Sequence, residues 1–204
     1  MLDKILALDK ELLIFLNGLG SSTFDPFWTF ITKQSNWTLF FVTLLYFVFK
    51  KSGFKKGAII VLFVFLLILV NDQTTNIIRE IFKRLRPCND PSVNHIIRIF
   101  FDPIKKEFYK PIQYSFVSGH ASNSMATMLF IFLLMKKHYK YIGLVFIFPL
   151  LFAYSRIYLG VHYPIDVLCG YIYGGTLGFL FYKFKTQANC QKWCDLKSGR
   201  VVPK

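Results

Sequence analysis

Long apolar runs alternate with short charged segments along most of this chain. Residues 57–70 and 141–154 contain no charged residue, and runs of this kind are typical of helices that cross a lipid bilayer. The pattern predicts five spanning helices, over residues 36–50, 57–81, 118–136, 140–158 and 163–183. The first is short for a bilayer, so it could also join the preceding segment as a sixth crossing.

The N-terminal part has a different pattern. Charged and apolar positions mix over residues 3–17, which predicts an amphipathic helix lying in the membrane interface. Residues 24–34 predict a second short interfacial piece. We therefore expect an all-α, polytopic membrane helical bundle of five to six transmembrane helices plus an N-terminal interfacial helix. As one domain, it would comprise an interfacial region (1–34), a transmembrane core (35–183) and a cytoplasmic tail (184–204).

Composition supports a membrane protein, and the charge distribution predicts which loops lie on which side of the membrane. The 204 residues are 54% hydrophobic with a mean hydropathy of +0.42, which is too apolar for an ordinary soluble domain. Basic residues crowd residues 50–56, residues 136–140 and the tail, so the positive-inside rule places these segments in the cytoplasm. The loops over residues 82–117 and 157–162 then lie on the extracytoplasmic side, which predicts a multi-pass protein of the inner (cytoplasmic) membrane.

The long loop over residues 82–117 breaks the positive-inside rule. It carries seven basic residues against three acidic ones. This excess predicts that the loop binds something anionic; attraction to anionic lipid headgroups is the alternative explanation.

Three polar clusters fall on the same outer side, each at the end of a predicted helix. Arginine side chains bind phosphate oxygens in a bidentate manner, and a helix N-terminus offers free amides and a positive dipole end to an anion. The clusters therefore predict a phosphate site. Their members are Arg79 and Arg86; then Ser118, Gly119 and His120; then Arg156, His162 and Asp166.

The third cluster also suggests a reaction. His162 and Asp166 are four residues apart, and Pro164 is placed as in a first helical turn. Asp166 could reach back to one imidazole nitrogen and leave the other free as a nucleophile, with His120 as a separate acid–base group. These residue types predict phosphoryl transfer through a phosphohistidine, with arginines supplying the charge that a metal supplies elsewhere.

Taken together, R-x6-RP, SGH and SR-x5-H-x3-D resemble the three-part signature of the type 2 phosphatidic acid phosphatase superfamily, K-x6-RP, PSGH and SR-x5-H-x3-D. The match extends from Asp72 to Gly178. It departs from the family pattern at Arg79, which replaces the usual lysine and with which Lys83 could share a role, and at Val117, which replaces a proline.

The resemblance implies a role for each matching residue. His162 attacks phosphorus, Asp166 orients His162, and His120 protonates the leaving oxygen and then activates water. The phosphate oxygens are held by Arg79, Arg86, Ser118, Gly119 and Arg156. No cofactor or metal is implied, and vanadate is expected to occupy the site as a phosphate mimic.

The resemblance also implies a class of substrate. Relatives act on undecaprenyl diphosphate, phosphatidylglycerophosphate, phosphatidic acid or lipid A phosphates, so the expected partner is a membrane lipid phosphate and not a nucleic acid. Two alternatives stay open: a lipid phosphotransferase on the same scaffold, and a non-enzymatic carrier of anions or lipids. The sequence leaves the oligomeric state undecided.

Two further patterns concern packing. Gly170, Gly174 and Gly178 recur every fourth residue and predict a face that packs closely against another helix. Asp72, an acid at membrane depth, is expected to anchor Arg79 or to form a hydrogen bond within the bundle.

Overall fold

The computed structural model describes residues 2–102, 106–111 and 114–197, and these are mostly helical. The amphipathic N-terminal segment and the predicted spans all form helices, so the helical class is confirmed. The helices are α1 (Leu2–Gly18), α2 (Asp25–Thr32), α3 (Thr38–Phe82), α4 (Gly119–Met135), α5 (Ile147–Tyr158) and α6 (Pro164–Lys197).

Short elements link these helices. Single 3₁₀ turns cover Ser22–Phe24, Gln34–Trp37 and Pro87–Asn89, and a longer one, Ile142–Phe146, leads into α5. In the long loop, β1 (Phe101–Asp102) pairs antiparallel with β2 (Glu107–Phe108). The all-α prediction missed this two-residue pairing.

Helix α3 contains both of the first two predicted spans. Its backbone breaks at Gly53, where φ is 72° and ψ is 167°. A Cβ on Gly57 would lie 2.5 Å from Cδ1 of Phe49, although a continuous helix would separate residues eight apart by about 12 Å. The chain therefore bends sharply at Gly53, and both segments contribute to one buried apolar cluster through Leu44 and Ile60.

The predicted glycine stripe forms the contact between α6 and α4. Gly170 lies against Ser118 and Ala121, and Gly174 lies against the backbone of Ser122. Further along, a Cβ on Gly178 would lie 2.5 Å from the carbonyl oxygen of Ala126. Small residues thus face each other on both helices, which allows their backbones to approach closely.

Helix α1 has one face buried against the protein. Asp9, Leu13 and Asn17 are buried, whereas Leu8 and Phe15 are each 63% exposed. Two polar side chains, Asp9 and Asn17, therefore point inward, while large apolar side chains such as Leu8 and Phe15 point outward, as suits a helix resting on lipid. Its interfacial location stays a prediction.

The exposed apolar surface continues over the long helices. Two segments of the described chain, Gln34–Asn89 and Pro164–Gln187, are long and apolar enough to cross a membrane, while Gly119–Met135 and Ile142–Tyr158 are shorter apolar helices. Only 17% of the most apolar window of the first segment is buried. Such a surface suits lipid rather than water, as expected of a membrane protein; the exact number of crossings stays a prediction.

Candidate active site

All three predicted clusters meet at one face of the bundle, where α3 and α5 end and α4 and α6 begin. Arg79 and Arg86 come from the end of α3 and the turn after it, Ser118 is the N-cap of α4, and Arg156 lies in the last turn of α5. His162 precedes α6, and Pro164 begins it, as its spacing predicted.

Arg79 lies directly over the start of α4. Its Nε donates a hydrogen bond to the carbonyl oxygen of Val117 at 3.1 Å, and its Nη1 donates to Oδ1 of Asn76 at 2.8 Å. A Cβ at position 119 would lie 2.5 Å from its Nη2. The first and second motifs are therefore in contact, and only glycine leaves room for this guanidinium.

Arg86 and His162 are in contact inside the site. Nη1 of Arg86 lies 3.0 Å from Nε2 of His162 and also donates to the carbonyl oxygen of Val161 at 3.0 Å. A guanidinium cannot accept a hydrogen bond, so Nε2 must present its lone pair and the proton of the neutral ring must be on Nδ1. This tautomer has its free lone pair at the nitrogen that faces the arginine.

The charge environment favours neutral His162. Burial, followed by the positive charges of Arg86, Arg156 and Arg79, holds the pKa of His162 well below its ordinary value of 6.5. A neutral imidazole is the form that acts as a nucleophile.

Asp166 is close to His162, but at 3.6 Å between Oδ2 and Nδ1 the pair is longer than a hydrogen bond. The expected direct bond is therefore not made in this structure. The carboxylate is engaged elsewhere, because Oδ2 accepts the backbone N–H of Tyr163 at 2.9 Å and Oδ1 accepts Nη1 of Arg84 at 2.7 Å.

Arg156 is held by the N-terminal region and the long loop. Its Nη1 donates to Oγ1 of Thr32 at 2.8 Å, and its Nη2 donates to the hydroxyl of Tyr109 at 3.3 Å. These contacts occupy Nη1 and Nη2, while the buried Nε has no partner among the described residues.

Three buried side-chain polar atoms in the described part of the chain lack a hydrogen-bond partner: Oγ of Ser118, Nε of Arg156 and Nδ1 of His162. Each belongs to a predicted site residue. Buried polar groups are normally paired because leaving one unpaired costs about 1–3 kcal/mol. Ser118 Oγ and Arg156 Nε are therefore suited to bind an anion.

The start of α4 differs in one respect from the prediction. The amide of Ser118 donates to the backbone carbonyl of Asp166 at 3.0 Å, so it is not free for a ligand. His120, the half-buried second residue of α4, stacks its ring on Phe152 at a centroid distance of 4.9 Å. The imidazole is thus held beside the site by an apolar contact.

Asp72 and Lys83 are two further polar residues that the sequence singled out next to the first cluster. Oδ1 of Asp72 accepts a hydrogen bond from Nδ2 of Asn123 at 2.5 Å. Of its two expected roles, Asp72 therefore has the hydrogen bond within the bundle. Lys83 is exposed and has a left-handed φ of 47° where α3 ends. A role for Lys83 beside Arg79 therefore stays a prediction.

Sequence reasoning missed four residues that support the site: Asp9, Thr32, Arg84 and Tyr109. Arg84 lies in the variable spacer of the first motif, and Asp9 lies 75 residues before it. The sequence carried no local signal for Asp9, because its role depends on a contact with a residue far along the chain. Among the described residues, no group of three histidine, cysteine or acidic side chains could hold a metal ion.

Comparison with known proteins identifies the family of this chain. The sequence model of the PAP2 superfamily matches residues 56–190. Lipid A 4'-phosphatases from Porphyromonas gingivalis and Bacteroides thetaiotaomicron are 30% and 31% identical to this chain, over 89% of its length and 75% and 79% of theirs. The chain therefore belongs to the PAP2 superfamily.

A solved structure supports the fold. The transmembrane PAP2-type phosphatidylglycerolphosphate phosphatase from Bacillus subtilis superposes with a TM-score of 0.65 at 22% sequence identity. The match covers 90% of this chain and 87% of that one.

Proposed function

We propose that this protein is a membrane-embedded lipid phosphatase that removes a terminal phosphate through a phosphohistidine on His162. The contact between Arg86 and Nε2 of His162 carries the proposal, because it directs a lone pair of a buried, neutral imidazole into a cluster of arginines.

The reaction would proceed in two displacements. Nε2 of His162 attacks phosphorus and forms a P–N bond while the P–O bond to the lipid breaks. His120 gives a proton to the leaving oxygen. Water, deprotonated by His120, then attacks phosphorus, which breaks the P–N bond and releases inorganic phosphate.

Charge on the transferring phosphoryl group would be stabilised by Arg79, Arg86 and Arg156, with Ser118 and the amide of Gly119. Asp166 would stabilise the ring once phosphorylation makes it cationic. No metal ion takes part in this scheme, so activity is expected to persist in a chelator.

A lipid A phosphate is the first candidate substrate, because the two relatives with that activity align over most of this chain. Undecaprenyl diphosphate, phosphatidylglycerophosphate and phosphatidic acid form the rest of the class. The site would lie on the extracytoplasmic side of the inner membrane, which in a Gram-negative host is the periplasm.

The test is phosphate release by purified protein in detergent from these four lipid phosphates, with EDTA and separately with orthovanadate. We expect metal-independent release that vanadate inhibits, and loss of release by at least about 10³-fold in His162→Ala, since a covalent step is removed. Exposed His138 offers a matched control, and His138→Ala should retain the wild-type rate.

Each result separates the alternatives. Equal release by His162→Ala would eliminate the phosphohistidine. No release by the wild type, followed by transfer of labelled phosphate to an added acceptor lipid, would identify a phosphotransferase. Binding of lipid phosphates without either reaction would identify a carrier.

A further inference from the structure

Arg84 connects the site to the N-terminal helix. Its Nη1 donates to Oδ1 of Asp166 at 2.7 Å, and its Nη2 donates to Oδ2 of Asp9 at 2.6 Å. Its guanidinium carbon also lies 3.9 Å from the ring centroid of Tyr163. The guanidinium of Arg84 thus binds two carboxylates, and the ring of Tyr163 packs against it.

Asp9 does more than neutralise Arg84. Its second oxygen, Oδ1, accepts the backbone N–H of Ile165 at 2.9 Å. This amide lies in the first turn of α6 and needs a partner from outside the helix. Asp9 therefore holds both the arginine and the start of the helix that carries Asp166.

Both carboxylates are fully buried, with side-chain exposures of 0%. A buried charge is costly unless it is paired and hydrogen-bonded, and removing one partner leaves the other uncompensated. Arg84 is the cation that satisfies both, so its position sets the orientation of each carboxylate.

The orientation of Asp166 matters to His162. With Oδ1 bound to Arg84, Oδ2 is the oxygen that faces Nδ1 of His162 at 3.6 Å. A small movement of the ring would convert this approach into a hydrogen bond when the ring becomes cationic. Arg84 therefore sets the orientation of the Asp166 carboxylate, and this carboxylate faces Nδ1 of His162, the ring nitrogen that does not attack phosphorus.

We propose that Asp9 and Arg84 are positioning residues for phosphoryl transfer: through Asp166 they orient the His162 imidazole, which makes the N-terminal helix part of the catalytic apparatus. This inference rests on the proposed function, because it assigns His162 as the nucleophile. Neither residue is expected to touch the substrate.

A second ion pair provides a matched control. Asp25, in α2, pairs with Arg98 of the long loop and with the hydroxyl of Tyr158. Like Asp9 with Arg84, this pair joins the N-terminal region to residues 82–117. It has no contact with Asp166, so its loss should test stability alone.

The experiment compares Asp9→Asn, Arg84→Gln, the double variant and Asp25→Asn as purified full-length protein. For each, kcat and KM are measured on the lipid phosphate that the wild type hydrolyses fastest. Thermal unfolding in the same detergent gives stability, and acid-labile phosphoenzyme is measured by rapid quench with labelled substrate.

We expect Arg84→Gln to lower kcat by about 10²-fold, since misplacement of a reacting group by about 1 Å has effects of this size. KM should change less than about threefold because the phosphate-binding arginines remain. Asp9→Asn should act in the same direction, and the double variant should lose less than the product of the two single losses. Arg84→Lys, which keeps the charge, should recover part of kcat.

Asp25→Asn should lower thermal stability while leaving kcat within about threefold of the wild type. A folded Arg84→Gln protein with unchanged kcat and phosphoenzyme formation would overturn the inference, as would equal loss of kcat in Asp25→Asn. An inactive wild type, or an active His162→Ala protein, would instead contradict the proposed function.

Discussion

A single methyl group separates glycine from alanine at position 119, and Arg79 occupies the space that this methyl would need. The added carbon would lie 2.5 Å from Nη2 of Arg79. Because Arg79 is also bound to Val117 and Asn76, it cannot yield without losing those hydrogen bonds. We predict that Gly119→Ala displaces the guanidinium and lowers kcat/KM by at least about tenfold, measured as initial phosphate release.

The control for this prediction is Gly143→Ala. A Cβ at Gly143 would meet no atom within 4 Å, so this variant should keep both rate and stability. Wild-type activity in Gly119→Ala would show that Arg79 does not hold phosphate from the position seen here.

A pH dependence follows from the low pKa of His162. Burial and the positive charges of Arg86, Arg156 and Arg79 favour the neutral ring, so acid inactivation by protonation of His162 should occur below pH 6.5, the ordinary pKa. Arg156→Gln removes one of these charges and should raise the pKa of His162, which moves the acid limb to higher pH.

Rapid-quench measurement of phosphoenzyme formation across the acidic and neutral range tests this shift. Titration of the substrate phosphate is common to both proteins, so the difference between them reports on the enzyme. An acid limb that stays in place, or moves to lower pH, would show that a group other than His162 controls it.

The predicted site residues are those for which short-range sequence patterns suggest the chemistry. Arg79, Arg86, His120, Arg156, His162 and Asp166 stand at fixed spacings at helix ends, and the fold brings them together. Arg84 and Asp9 escaped notice because their significance depends on a contact between residues 75 apart. No local spacing encodes that contact.

Helix positions were predictable for a similar reason. Apolar runs bounded by charges located α3 to α6, and the start of α6 at Pro164 followed from the fixed φ of proline in a first turn. The inward-facing Asp9 on α1 was not predictable, because an amphipathic pattern defines two faces but not which one meets the protein. The pairing of β1 with β2 was missed because two residues carry no periodic signal.

The contact between α4 and α6 depends on the absence of side chains on one stripe. A Cβ on Gly174 would overlap the carbonyl oxygen of Ser122 and lie 2.7 Å from its carbonyl carbon. Backbone atoms in a helix cannot move aside locally, so the helices would have to separate. We predict that Gly174→Ala destabilises the protein by about 1–3 kcal/mol or more, seen as a lower thermal midpoint in detergent.

The adjacent glycine gives a matched control in the same helix. At Gly175 an added Cβ would meet Met125 and Leu129 at 3.8 Å, an ordinary contact distance. Gly175→Ala should therefore keep or slightly raise the thermal midpoint, since alanine is favoured over glycine within a helix. Equal midpoints for the two variants would mean that α4 and α6 are not packed along this stripe.

Across the whole molecule, the N-terminal region is tied to the site by several separate links. Asn17 in α1 donates to the carbonyl oxygens of Arg98 and Tyr158, at 3.0 and 2.8 Å, and accepts the backbone N–H of Arg98 at 2.7 Å. Thr32 and Asp9 reach Arg156 and Arg84 directly. These links give the long loop and the third motif a common support outside the membrane-spanning helices.

The same arrangement makes a prediction about orientation. Every site residue lies at the end of the bundle from which the long loop emerges, so the loop and the site must share one side of the membrane. The charge distribution predicts that residues 50–56 lie on the opposite, cytoplasmic side. Single exposed cysteines on the two sides, Lys51→Cys and His95→Cys, would report this in a chain whose four native cysteines are replaced by serine.

We expect a membrane-impermeant maleimide to label His95→Cys in intact bacterial cells and Lys51→Cys only after the membrane is permeabilised. Both variants should keep phosphatase activity, since both positions lie on the surface away from the site. The reverse labelling pattern would place the site in the cytoplasm and exclude a substrate presented on the outer leaflet. The seven basic residues of the long loop would then simply follow the positive-inside rule, and they would no longer suggest a role in binding an anionic substrate.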